Sequence, residues 1–172
     1  IKAVPILIKI LKDTQQEPMV RHEAAESLGA IGSTEVAEVL KIYVHDTVIE
    51  VAETCELALE RIKWMQKPQS KLEQSSINPY ASIDPAPPAN SVDVVELTMI
   101  LLDEKQTLFE RYRAMFALRN LRSKDAVLAL SSALKCGSAL FRHEIAFVLG
   151  QLQDNCSVPY LKNSLEDQLE NE

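Results

Sequence analysis

The sequence predicts an all-α protein: an α-α superhelix of stacked two-helix repeats, in two halves joined by a long Pro-rich loop. Three observations carry that expectation. First, Arg21-His22-Glu23-Ala24-Ala25-Glu26-Ser27-Leu28-Gly29 is echoed 121 positions later by Arg142-His143-Glu144-Ile145-Ala146-Phe147-Val148-Leu149-Gly150. Second, weaker copies stand 31 residues after the first block, at 52–59, and 31 residues before the last, at 111–118. Third, 47% of residues are hydrophobic, only 5% are aromatic and Gly numbers four, a composition that favours helix over sheet. A unit of about 31 residues holding two short amphipathic helices cannot bury its apolar stripe alone, so neighbours stack into a continuous core.

The elements follow in order. Residues 4–11 read as the second helix of a repeat, with Pro5 near its start. Pro18 opens the helix that carries Arg21-His22-Glu23. Gly32-Ser33-Thr34 ends that helix and offers a cap to the next, predicted over 37–44. Asp46-Thr47 makes the turn into the copy at 52–59. In the second half, Ser123-Lys124-Asp125 and Gly137-Ser138 are turn or capping chemistry, and apolar segments at 126–134 and 158–165 follow the two copies there. Between them, residues 66–91 hold five of the eight prolines with many Ser, Gln and Asn, which predicts an extended connector. The expected domains are thus 1–65, the linker 66–91, and 92–172. Ile1 lies mid-way into an amphipathic pattern, and the last residues lack a clear cap, so the chain reads as an interior piece of a longer protein.

Charge narrows the partners. The net charge is −7 and no Lys/Arg block occurs, which argues against a nucleic-acid or anionic-membrane surface and suits a basic protein partner. No apolar run reaches the ~18–20 residues of a membrane span, and no signal peptide is visible. Cys55, Cys136 and Cys156 have no CxxC spacing and form no even framework, which points to a reducing, cytoplasmic setting. Terminal repeats without polar caps would tend to self-associate.

The chemistry lies in the His-Glu pairs. Taken alone, His22 and Glu23 read as a helix-start histidine on a backbone carbonyl beside a carboxylate that complements the helix dipole. Their recurrence as His143 and Glu144 argues otherwise, because the equivalent positions of the other copies are Glu53-Thr54 and Tyr112-Arg113, so the repeat folds without them. Imidazole with carboxylate is the ligand set of iron, manganese or zinc. Neighbouring helical residues point about 100° apart, so one pair supplies at most two ligands and a metal site needs pairs from several helices. His45-Asp46 reads as a turn, and runs such as Glu50/Glu53/Glu56 as solvated faces. No phosphate loop, GxSxG, HExxH or CxxC competes.

The stretches EPMVRHEAAESLGAIG, DTVIEVAETCELAL, YASIDPAPP, LFERYRAMFALRN and CGSALFRHEIAFVLGQLQ closely resemble the deoxyhypusine hydroxylase family of HEAT-repeat di-iron monooxygenases. The resemblance covers essentially the whole chain, linker included. It implies hydroxylation of deoxyhypusine, a modified lysine on eukaryotic translation initiation factor five A, with O2 and a non-haem centre of two Fe(2+) ions. It implies two pseudo-symmetric halves with four His-Glu pairs, of which this sequence holds two. The 31-residue period puts the others about nine positions before Ile1 and two or three beyond Glu172. By the same resemblance His22, Glu23 and His143 are expected to bind iron. Glu144 is expected to act at the substrate amine, as a catalytic and substrate-binding carboxylate. On that view the chain alone is inactive. The alternatives are a non-catalytic HEAT scaffold, in which His22 and His143 only cap or pack, and a chromophore lyase of similar repeats, which the linker and the Tyr-Arg copy do not match.

Overall fold

In the computed structural model, the structure describes residues 2–67 and 78–170. Part of the predicted linker, 68–77, lies outside the described residues. The chain divides into two compact units, Ile1–Ser75 with Ile83–Ala86, and Ser76–Ser82 with Pro87–Glu172. All regular structure among the described residues is helical.

The first unit holds α1 (Val4–Lys12), α2 (Pro18–Ile31), α3 (Thr34–Tyr43) and α4 (Ile49–Met65). Pro5 and Pro18 fall in the first turns of α1 and α2, where a missing N–H costs nothing. Helix α2 packs between α1 and α4, and α3 packs on α4. Leu11, Ala25, Leu28, Val36, Leu40, Val51 and Cys55 close the core at zero exposure, each buried Leu or Val contributing ~1.5–3 kcal/mol. Gly32 ends α2 in the left-handed region with φ 68°. Ser33 stands at the N-cap of α3 but its side chain makes no capping bond, because the first turn closes through its carbonyl instead, with the Val36 N–H at 3.2 Å.

The second unit holds α5 (Val94–Leu102), α6 (Leu108–Leu121), α7 (Lys124–Ser132), α8 (Ala139–Leu152) and α9 (Val158–Leu165), with single 3-10 turns before α8 and α9. Here the predicted caps form: Ser123 accepts from the Ala126 N–H, and Ser138 from the Phe141 N–H. Leu97, Leu101, Ala114, Met115, Leu118, Leu130, Phe141, Ile145 and Val148 build the core.

The two units repeat one another in detail. Arg21 Nε donates to the Leu11 carbonyl at 3.0 Å, and Arg111 Nε to the Leu101 carbonyl at 2.9 Å, ten residues back in both cases. The preceding turns match as well, with Asp13 accepting the Gln15 N–H and Asp103 the Lys105 N–H, both at 3.0 Å. Arg21 and Arg111 are therefore struts between consecutive helices, which accounts for these two arginines without any chemistry. Arg142 serves its own turn differently, donating to the Gly137 carbonyl at 2.7 Å and to Glu170 at 2.8 Å.

Candidate metal centre

His22 and His143 each sit at the fifth position of their helices, α2 and α8. Neither helix has an acidic residue in its first turn. The macrodipole acts within that turn, so complementing it does not account for Glu23 or Glu144.

In the first unit His22 is 4% exposed, and Nδ1 lies 2.6 Å from Thr54 Oγ1 on α4. Nε2 faces two carboxylates, Glu26 Oε2 at 3.7 Å and Glu23 Oε1 at 3.9 Å. These separations exceed a hydrogen bond, yet fall within twice the roughly 2.0–2.2 Å of an imidazole or carboxylate bond to a zinc-sized cation. The donor types and spacing therefore fit a transition-metal ion held partly by this helix. Glu23 is exposed and Glu26 half-buried. Burial first, then the charges of Glu23 and Asp84, push the Glu26 carboxyl above the usual carboxylate range. Such a group gains from a cation beside it.

In the second unit His143 is exposed and Glu144 half-buried on α8. The position that matches Glu26 is Phe147, 54% exposed. Each unit thus offers one His-Glu pair, carried on a different unit from the other. Among the described residues no group of three or more His, Cys, Asp or Glu forms a cluster able to hold a metal ion. His45-Asp46 is a turn: Asp46 Oδ1 accepts the Val48 N–H at 2.9 Å and its carboxylate takes the Arg21 guanidinium.

Two contributors escape a reading by motif. Glu26 is marked only by standing four residues after His22 on the same face. Thr54 lies one repeat further on, at the position equivalent to Glu23, and only the packing of α4 on α2 brings it to His22.

The class of protein is the HEAT-repeat superhelix. Residues 2–60 match the family described as HEAT repeats, and residues 110–136 and 141–167 match the PBS lyase HEAT-like repeat. Deoxyhypusine hydroxylase of Drosophila melanogaster is 60% identical over 99% of this chain, which covers 56% of that relative. The Homo sapiens deoxyhypusine hydroxylase is 56% identical over 99% of the chain, covering 55% of its length. A solved structure of human deoxyhypusine hydroxylase in complex with glycerol matches with a TM-score of 0.92 at 56% identity, over 99% of this chain and 58% of that one. The chain is thus similar to deoxyhypusine hydroxylases along nearly all of its own length, and it spans about half the length of the curated relatives it matches. No helix among the described residues is long and apolar enough to cross a membrane.

Proposed function

We propose that the protein carrying this chain is a deoxyhypusine monooxygenase, which hydroxylates the deoxyhypusine side chain of eukaryotic translation initiation factor five A. The observation that supports it most is 56–60% identity to deoxyhypusine hydroxylases across 99% of the chain. The reading keeps His22, Glu23 and His143 as iron ligands and Glu144 as the carboxylate at the substrate amine. A pair of non-haem iron ions would supply O2 activation when bound.

The chain's own residues have definite tasks in that reading. His22 and Glu23 extend from α2 to hold one part of the metal centre, with Glu26 adding negative charge beside the imidazole. His143 contributes from α8. Glu144, next to it, pairs with the cationic amine of the modified lysine and fixes its reach. The net charge of −7 draws in a basic substrate loop. The three cysteines are free thiols, which supports a cytoplasmic, reducing setting.

The test compares this chain with a protein of its relatives' length that carries it. Iron content is measured by metal analysis, and hydroxylation by mass shift of deoxyhypusine-bearing substrate. The longer protein should bind two irons and add one oxygen. His22→Ala and His143→Ala should each abolish turnover and lower iron content, whereas a longer protein with neither iron nor product would sink the proposal.

A further inference from the structure

Among the described residues of the first unit, the buried polar or charged side chains are Arg21, His22 and Thr54. Arg21 is accounted for by Leu11 and Asp46. The other two bond to each other. Thr54 is 3% exposed on the face of α4 that otherwise buries Val51, Cys55 and Ala58. Valine has nearly the same shape and no hydroxyl to desolvate, so packing alone does not call for threonine there.

The hydroxyl is committed. Thr54 Oγ1 stands 2.6 Å from the Glu50 carbonyl oxygen, one turn back on α4. A carbonyl oxygen only accepts, so the single hydroxyl proton lies on that bond. Oγ1 is also 2.6 Å from His22 Nδ1. With its own proton spent, the hydroxyl accepts here, and Nδ1 must be the nitrogen that donates. A neutral imidazole with Nδ1–H carries its lone pair on Nε2. Nε2 is the nitrogen that faces Glu23 and Glu26.

We propose that Thr54 is the positioning residue of His22, its hydroxyl chain to the Glu50 carbonyl fixing the ring and presenting Nε2 as the metal-binding nitrogen. This rests on the reading of His22 as an iron ligand. The repeat supplies the device: the position that bears a carboxylate in one copy, Glu23, bears a hydroxyl in the next, and the second copy orients the first. Histidine ligands are held in this way by a partner on the ring nitrogen that does not bind metal, and losing such a partner costs about 10–100-fold in metal affinity.

The test has two arms. Two-bond proton–nitrogen NMR correlation of the His22 ring, on the metal-free chain at a pH where the imidazole is neutral, should show the Nδ1–H tautomer. Thr54→Val should yield a mixture or the Nε2–H form, and Thr54→Ser, which keeps the hydroxyl, should restore the wild-type pattern. In the second arm Fe(II) is titrated anaerobically into a protein of the relatives' length. Thr54→Val should weaken binding by about 10–100-fold and Thr54→Ser by far less. An Nε2–H tautomer in the wild type, or wild-type tautomer and affinity in Thr54→Val, overturns the proposal. A wild type that binds no Fe(II) overturns the functional reading and the positioning role with it, a result distinct from equal binding by wild type and Thr54→Val.

Discussion

Arg21 and Asp46, 25 residues apart, form a charge-paired clamp that ties the start of α4 to the body of α2. Nη1 reaches Oδ1 at 3.2 Å and Nη2 bonds Oδ2, with side chains 3% and 9% exposed. The guanidinium also lies 5.9 Å from the Tyr43 ring centroid. Removing one member of a buried pair leaves the other desolvated and uncompensated.

Asp46→Asn is therefore expected to destabilise the first unit by roughly 3 kcal/mol, read by urea denaturation at pH 7. The loss has a pH signature. The Arg21 hydrogen bonds, aided by the Val48 N–H and opposed by burial, hold the Asp46 carboxyl below its ordinary value. A carboxylate with a lowered folded pKa stabilises above its unfolded value and loses that contribution as pH falls through the folded one. The gap between wild type and Asp46→Asn should thus be full at pH 7 and close as pH drops below about 3.9. A gap that persists unchanged into acid would show that the pair is not its source.

Gly29 and Gly150, aligned by the repeat, should respond to alanine with opposite signs. A Cβ on Gly29 would lie 2.7 Å from Ala58 Cβ and 3.0 Å from the Ala58 backbone, so α2 and α4 would have to part. A Cβ on Gly150 meets nothing within 4 Å. Gly29→Ala is expected to cost about 1–3 kcal/mol. Gly150→Ala, relieved of glycine's backbone entropy, is expected to gain ~0.5–1 kcal/mol. Circular-dichroism melting curves of both variants decide it.

Arg119 is fully buried in the second unit, where it bonds Asn78 Oδ1 at 3.2 Å and Gln151 Oε1 at 3.1 Å and lies over the Tyr80 ring at 4.8 Å. It is an anchor for residues 78–80 on α6. Arg119→Leu keeps apolar volume but removes these donors, with an expected cost of about 1–3 kcal/mol. Limited proteolysis should then cut around residue 80 faster than in the wild type.

Cys55 should be the slow thiol. It has no exposure, and burial, with a smaller push from Asp46, raises its pKa to about 12. Cys136 and Cys156 are partly accessible. A native titration with a disulfide reagent should show two reactive thiols, and the third only on unfolding. Three equal rates would mean that the α2–α4 core opens readily.

Much of the fold is legible in the sequence because its determinants are local and periodic. Pro5, Pro18 and Gly32 mark helix ends through their own backbone restrictions, and a 31-residue period announces stacking. Less local features are not legible. Gly29 and Gly150 look alike in the sequence, but only Gly29 has a helix packed against it. Arg122 and Gln153 end α6 and α8 at φ 55° and 54°, left-handed positions that no glycine announces.

By itself the sequence determined the two-helix repeat, the starts of its helices, and the two His-Glu pairs with their donor chemistry, since each rests on residues close together in the chain or recurring at a fixed period. Tertiary structure alone decided what surrounds those pairs. It buried His22 against Thr54 while leaving His143 exposed, made Arg21 a strut instead of part of a site, and set Glu26 beside the imidazole. The physical reason is one of direction: period gives the face a residue shares, but which atom of one side chain meets which atom of another, 32 positions on, follows only from the packing of α2 on α4.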